Sequence, residues 1–148
     1  MTDEQYMQEA LKEAQLAQQE GEVPVGAVIV CDGKIIARGH NRRETTNDIF
    51  GHAEIEAIKK ACDVLGCWHL ENCSLYVNLE PCPMCAGAIQ QARVGHVFFG
   101  CYDSKAGALG GVYDLSIVQG LNFNTIIHPQ IMEKECAKLL KDFFKKLR

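Results

Sequence analysis

His52 and Glu54 stand two residues apart in "GHAEIEAIKKA", and Cys82 and Cys85 stand three apart in "LEPCPMCAGAI". Two thiols on one turn lie close enough to bind a single ion. Sulfur donors joined by an imidazole select zinc over hard, oxygen-seeking cations. A cysteine pair at this spacing is by itself also compatible with a redox motif; its flanking prolines and the upstream His-Ala-Glu point to metal. The pair falls where a strand gives way to a helix, and helix N-terminal amides favour the thiolate form that binds metal.

His52, Cys82 and Cys85 make three donors, whereas a structural zinc site normally closes at four. A structural cage would have to recruit Cys62, Cys67 or Cys73, none of which has a partner at ligand spacing. A catalytic site leaves the fourth position to water. Two thiolates cancel the ion's formal charge and weaken its acidifying effect on that water, so a neighbouring base becomes useful. Glu54 is the nearest candidate. Residues two apart in a regular helix point to nearly opposite sides, so spacing alone does not place Glu54 beside the metal. Its other reading is an exposed first-turn acid at the positive end of a helix dipole.

These residues must be positioned by the elements around them. Thr2 and Gln5 have capping-box spacing ahead of Met7, Ala10, Leu11, Ala14 and Ala17, which recur at helical period until Gly21. "PVGAVIVCDGKIIARGHN" reads as a hairpin turning at Asp32-Gly33. A second helix opens near His52, with Ala57, Ile58, Ala61, Cys62 and Leu65 on its apolar face and Gly66 at its end. "CSLYVNLE" alternates as a strand, and Pro81 and Pro83 suit the first turn of the helix through "MCAGAIQQARV". "HVFFG" is a short buried strand, "YDSKAGALGGVYD" a glycine-rich loop, "NTIIHP" a final strand, and an amphipathic helix closes the chain. Helices alternating with strands predict a layered α/β domain around a sheet that is part hairpin and part parallel.

The 148 residues are expected to form one domain, 1–148, of ordinary globular composition. No apolar run approaches a membrane span, and the acidic start "MTDEQYMQEALKEAQ" is unlike a signal peptide, which predicts a cytoplasmic protein. In a reducing compartment the eight cysteines do not read as a disulfide framework, and the six outside the pair are expected in the core or at its edge. A net charge of −4 argues against a protein that coats nucleic acid. The charge is uneven: acids crowd residues 1–22, while Lys134, Lys138, Lys141, Lys145 and Arg148 form a basic stripe on the last helix. That stripe is either a solvated face or a phosphate contact, and Phe144 at its border is expected to pack in the core.

"HAE" followed at a distance by "PCPMC" resembles the cytidine deaminase superfamily of zinc-dependent base deaminases. "VPVGAVIV", "GHN", "HAEI", "LYVNLEPCPMCAGAI", "VFFG" and "DSKAGALGG" are similar to successive blocks of the bacterial tRNA-specific adenosine deaminases, along essentially the whole chain. The resemblance implies a three-layer α/β/α sandwich with a central mixed sheet, acting as a homodimer on the wobble adenosine of a tRNA anticodon stem-loop to yield inosine. It implies one zinc ion per subunit held by His52, Cys82 and Cys85, with Glu54 moving protons. Asn41 would hydrogen-bond the base or sugar, and Asp103 would lie near the target ribose. Gly51, Asn78 and Cys101 depart from what that family usually carries, where a larger residue, threonine and alanine are expected. Two rivals remain: a deaminase of free guanine, cytosine or nucleosides, and a non-catalytic RNA-binding module stabilised by zinc.

Overall fold

The computed structural model describes residues 1–118 and 124–147. Along the chain lie α1 (Asp3–Gln19), β1 (Gly26–Cys31), β2 (Lys34–His40), α2 (Ala53–Leu65), β3 (Cys73–Leu79), α3 (Pro83–Gln91), β4 (His96–Cys101), a 3-10 turn at Leu115–Ile117, β5 (Ile126–His128) and α4 (Glu133–Lys146). The expected capping box is present: Thr2 accepts from the Gln5 amide and the Gln5 side chain accepts from Thr2. Asp32 and Gly33 both have positive φ, 51° and 74°, as a tight hairpin turn matched to strand twist requires. Helix α3 stops at Gln91, short of Val94, because the backbone reverses at Arg93 with φ 55°.

The strands make one sheet in the order β2-β1-β3-β4-β5. β1 pairs antiparallel with β2 and with β3, while β3 to β4 and β4 to β5 are parallel. β1 therefore lies inside the sheet, and its residues alternate between two cores. Ala27 and Ile29 pack with Ala53, Ala57 and Ala61 of α2 and with Ala86 and Ile89 of α3. Val28 and Val30 pack with Met7 and Ala10 of α1 and with Cys136 and Leu140 of α4. Burial on both faces explains why β1 is a continuous apolar run rather than an alternating one. The result is the three-layer α/β/α sandwich around a mixed sheet that the resemblance implied.

Close helix-on-sheet contact depends on glycine. A Cβ on Gly26 would sit 2.2 Å from the Ala10 carbonyl oxygen and 2.2 Å from the Ala14 amide nitrogen, so the α1 backbone rests directly on β1. Gly26→Ala is expected to cost about 1–3 kcal/mol through overpacking. That corresponds to a fall in Tm of roughly 3–12 °C. Thermal unfolding checks it, and an unchanged Tm would mean that α1 does not bear on this strand.

The acids of the first segment have partners across the sheet edge. Glu9 pairs with Arg38 at 2.8 Å, while His40 meets Glu13 at 3.2 Å and Glu20 at 3.0 Å. Three of the six acids in this segment, Glu9, Glu13 and Glu20, thus pair with β2. Cys73, Cys101 and Cys136 are buried, and Cys31, Cys62 and Cys67 are half-buried, as expected of core and edge thiols.

Candidate active site

The N-termini of α2 and α3 converge at the carboxyl end of β3. His52 is the N-cap of α2, with extended backbone at φ −92° and ψ 149°. Cys82 is the N-cap of α3, also extended, and Pro83 opens the first turn. His52 Nδ1 lies 3.6 Å from Cys82 Sγ and 3.5 Å from Cys85 Sγ. The donor atoms of these three residues all fall within 4.8 Å of one another, and among the described residues no other His, Cys, Asp or Glu joins them. Tetrahedral coordination with Zn–N near 2.0–2.1 Å and Zn–S near 2.3 Å places nitrogen and sulfur about 3.5 Å apart, so the donor set fits that ion.

The candidate fourth thiols lie elsewhere. Cys62 is almost three turns along α2 from His52, roughly 15 Å. Cys73 begins the strand that ends before Cys82, roughly 20 Å or more away. Cys67 follows the C-terminus of α2, at the same remote end of the sheet. The donor group thus has three protein members and an open side.

That open side faces a cavity of about 260 Å³, lined by Glu22, Val23, Val25, Asn41, Arg43, Glu44, His52, Ala53, Glu54, Leu79, Glu80, Cys82, Asp103 and Ala106. It is the size of a pocket for one base rather than for folded nucleic acid. Glu54 is buried, 4% exposed, yet lines this cavity. Its position follows from the cap: His52 precedes the regular helix, so the opposite-sides rule for residues two apart does not apply between them. Burial pushes the Glu54 carboxyl up to about 7. A hydrogen bond from Cys85 holds the Cys82 thiol down to about 4, against its burial, and a hydrogen bond with Cys82 raises the His52 imidazole.

Asn41 and Asp103 both line this cavity. Asn41 Nδ2 donates to the Val23 carbonyl at 3.3 Å and its Oδ1 accepts from the Arg43 amide at 3.2 Å. Asp103 Oδ1 accepts from the Lys105 and Ala106 amides at 3.0 and 3.3 Å. Gly51, where the resemblance expects a larger residue, lies under a tight loop. A Cβ there would be 3.1–3.2 Å from Asp48 O, Arg42 C and Arg43 N. Asn78 is fully buried and bridges two backbone groups, accepting from the Gly26 amide at 2.8 Å and donating to the Pro24 carbonyl at 2.9 Å. It thereby ties the Val23–Val25 wall to β3. Cys101 reaches the same place, with its thiol donating to the Asn78 carbonyl at 3.6 Å.

Two buried wall residues escape a reading by spacing. Glu22, 1% exposed, accepts from the Glu44 amide at 3.2 Å and from both the amide and the hydroxyl of Thr45, which ties down the loop after Asn41. Glu80, 2% exposed, accepts three amides of the glycine-rich loop. Neither carries a sequence mark beyond an acid next to an apolar run, and Glu22 in particular looks like one more charge in an acidic segment.

Residues 1–148 match the MafB19-like deaminase family. The chain is 49% identical over 146 residues to a tRNA-specific adenosine deaminase of Bacillus subtilis strain 168, covering 99% of this chain and 91% of that one. The chain belongs to the tRNA-specific adenosine deaminase family. A structure solved in a study of A-to-I editing by tRNA:A34 deaminases at the wobble position of transfer RNA superimposes on this deaminase with a TM-score of 0.89. It is 40% identical, covering 92% of this chain and 99% of that one. A guanine deaminase from Bacillus subtilis is 38% identical with a TM-score of 0.68, covering 98% and 95% of the two chains. Family membership thus comes with a fold shared by deaminases of two substrate types. Among the described residues no helix of this deaminase is long and apolar enough to cross a membrane.

Proposed function

We propose that this chain, working as a single domain and as a homodimer in the cytoplasm, hydrolytically deaminates adenosine to inosine at the wobble position of a tRNA anticodon stem-loop. The observation that carries the reading is the buried Glu54 carboxylate lining the same one-base cavity as an open His-Cys-Cys donor group. The 49% identity with a tRNA-specific adenosine deaminase supports the substrate. Exposed apolar Val112, Tyr113, Ile117 and Val118 support a self-association surface. Free thiols throughout are in keeping with a reducing compartment.

His52, Cys82 and Cys85 would hold one zinc ion, and when bound that ion supplies a polarised water as the nucleophile. Glu54 would take one proton of the water as its oxygen adds to carbon 6 of adenine and pass it to ring nitrogen N1. It would then take the second proton from the new hydroxyl and deliver it to the amino group as the carbon–nitrogen bond breaks and ammonia leaves. Adenosine and water become inosine and ammonia, with no redox change. Asn41 retains hydrogen-bonding capacity toward the base or sugar beyond its two wall contacts. Asp103 keeps Oδ2 to accept from a ribose 2′-hydroxyl. An anticodon loop presents an extruded base more readily than a duplex, whose opening costs a few kcal/mol.

Inosine formation tests the reading. A synthetic anticodon stem-loop is expected to react and free adenosine and guanine to react far more slowly, with activity lost on chelation and restored by zinc. Faster turnover of free guanine would favour the second reading, a small-molecule deaminase, which the guanine deaminase relative keeps in view.

The basic stripe bears on the partner. Lys134, Lys138, Lys141 and Lys145 are exposed on α4, while Arg148 lies outside the described residues. Lys134, Lys138 and Lys141 line a groove with Cys101 and Tyr102, the residues that lead into Asp103. Phe144, expected in the core, is instead 47% exposed at the edge of this face. It falls one step beyond Phe143, whose side chain takes the buried position. Replacing Lys138, Lys141 and Lys145 with glutamine is expected to weaken stem-loop binding and make its salt dependence shallower. The log–log slope should fall by roughly 0.7–0.9 for each phosphate no longer neutralised. Binding titrations at several salt concentrations check this; an unchanged slope would return the stripe to a solvated face.

A further inference from the structure

We infer that Glu80 is a positioning residue for the reaction: its buried carboxylate sets the glycine-rich loop that forms the substrate wall at a fixed place relative to the metal-binding turn. Glu80 follows the last residue of β3 and precedes Cys82 by two positions, and its amide donates to the Cys101 carbonyl at 2.9 Å. Its side chain crosses to the loop after β4. There Oε1 accepts from the Asp103 amide at 2.9 Å, and Oε2 accepts from the Leu109 and Gly111 amides, both at 2.8 Å. The carboxylate has no Lys, Arg or His partner among the described residues. Backbone N–H groups compensate it instead, in the manner of an anion nest whose anion is the protein's own side chain.

The loop is shaped around this carboxylate. A Cβ on Gly107 would lie 2.0 Å from Glu80 Oε1, and one on Gly111 would lie 2.3 Å from it. Neither glycine has positive φ, so close approach, not backbone conformation, is what demands glycine there. The glycine-rich stretch "SKAGALGG" thus wraps an internal acid rather than a phosphate. A second link, from the Ala108 amide to the Pro81 carbonyl at 2.9 Å, fastens the loop to the residue just before Cys82. Asp103 and Ala106 on this loop line the cavity together with Cys82 and Glu54. The span from metal donors to substrate wall is therefore bridged by Glu80, and a displacement near 1 Å at such a wall can cost 10²-fold in rate, roughly.

This inference rests on the deaminase reading for its activity readout, and it is tested with whichever substrate the wild type turns over, stem-loop or free base. Failure of the tRNA reading then leaves the comparison of variants intact. In zinc-loaded protein, Glu80→Ala is expected to lower kcat/KM about 10²-fold, mainly through KM, while retaining one zinc per chain. Hydrogen exchange at the Asp103, Leu109 and Gly111 amides should accelerate together. Glu80→Gln, which keeps one acceptor oxygen, should fall between the two. Gly111→Ala attacks the same contact from the loop side, and with Glu80 removed its nearest remaining obstacle is Asp103 O at 2.9 Å. Its cost in kcat/KM should therefore be smaller in the Glu80→Ala background than in the wild type. Should Glu80→Ala fail to fold, Gly111→Ala alone must reproduce the rise in KM and the faster exchange at full zinc. Turnover within about threefold of wild type at full zinc would overturn the inference. So would unaltered amide exchange, additive costs in the double variant, or zinc lost in proportion to activity.

Discussion

Glu54→Ala is expected to keep fold, zinc and stem-loop binding while losing nearly all turnover. Positioned proton transfer contributes typically 10²–10⁴-fold, about the loss to be seen. Glu54 is the acid that reaches the cavity from the first turn of α2, while Glu22 and Glu80 have their carboxylates committed to loop amides. Its removal should not weaken the fold. Glu54 is buried without a Lys, Arg or His ion pair among the described residues. Such a group costs stability where it stands, so Tm should hold or rise when it becomes alanine. Single-turnover inosine formation, metal analysis and thermal unfolding on the same preparations make the comparison. A tenth or more of wild-type turnover would assign the proton transfer to another group.

Cys82→Ala and Cys85→Ala should each lose metal and activity together, the reverse of the Glu54 phenotype. Three donors hold the ion in this reading, and loss of one thiolate leaves two, too few for a stable site. The effect extends to stability, because a ligand that binds the folded state alone contributes about 4 kcal/mol at a free concentration 1,000 times its Kd. Chelation should therefore lower the Tm of the wild type and leave that of either cysteine variant unmoved. Full zinc retention in either variant would remove that thiol from the site.

Much of this was legible in residues taken a few at a time. The Thr2 cap, the Asp32-Gly33 turn, the Gly66 stop and the proline-led start of α3 are local backbone preferences, each settled within about four residues. The spacing of Cys82 and Cys85 likewise puts two sulfurs on one turn wherever that turn lies. The rest depends on what stands opposite a side chain, and that is chosen by segments far along the chain. Cys62, Cys67 and Cys73 were possible fourth donors by type; strand and helix length carry them to the far end of the sheet. Glu54 faces the cavity because His52 is a cap with extended backbone, a detail invisible in a two-residue spacing. Glu22, Asn78 and Glu80 resemble ordinary surface or strand residues in the sequence. They become wall anchors because the sheet order brings Thr45, Gly26 and Leu109 against them from 23, 52 and 29 residues away. A buried polar group must find partners, and only the folded chain decides which ones are within reach.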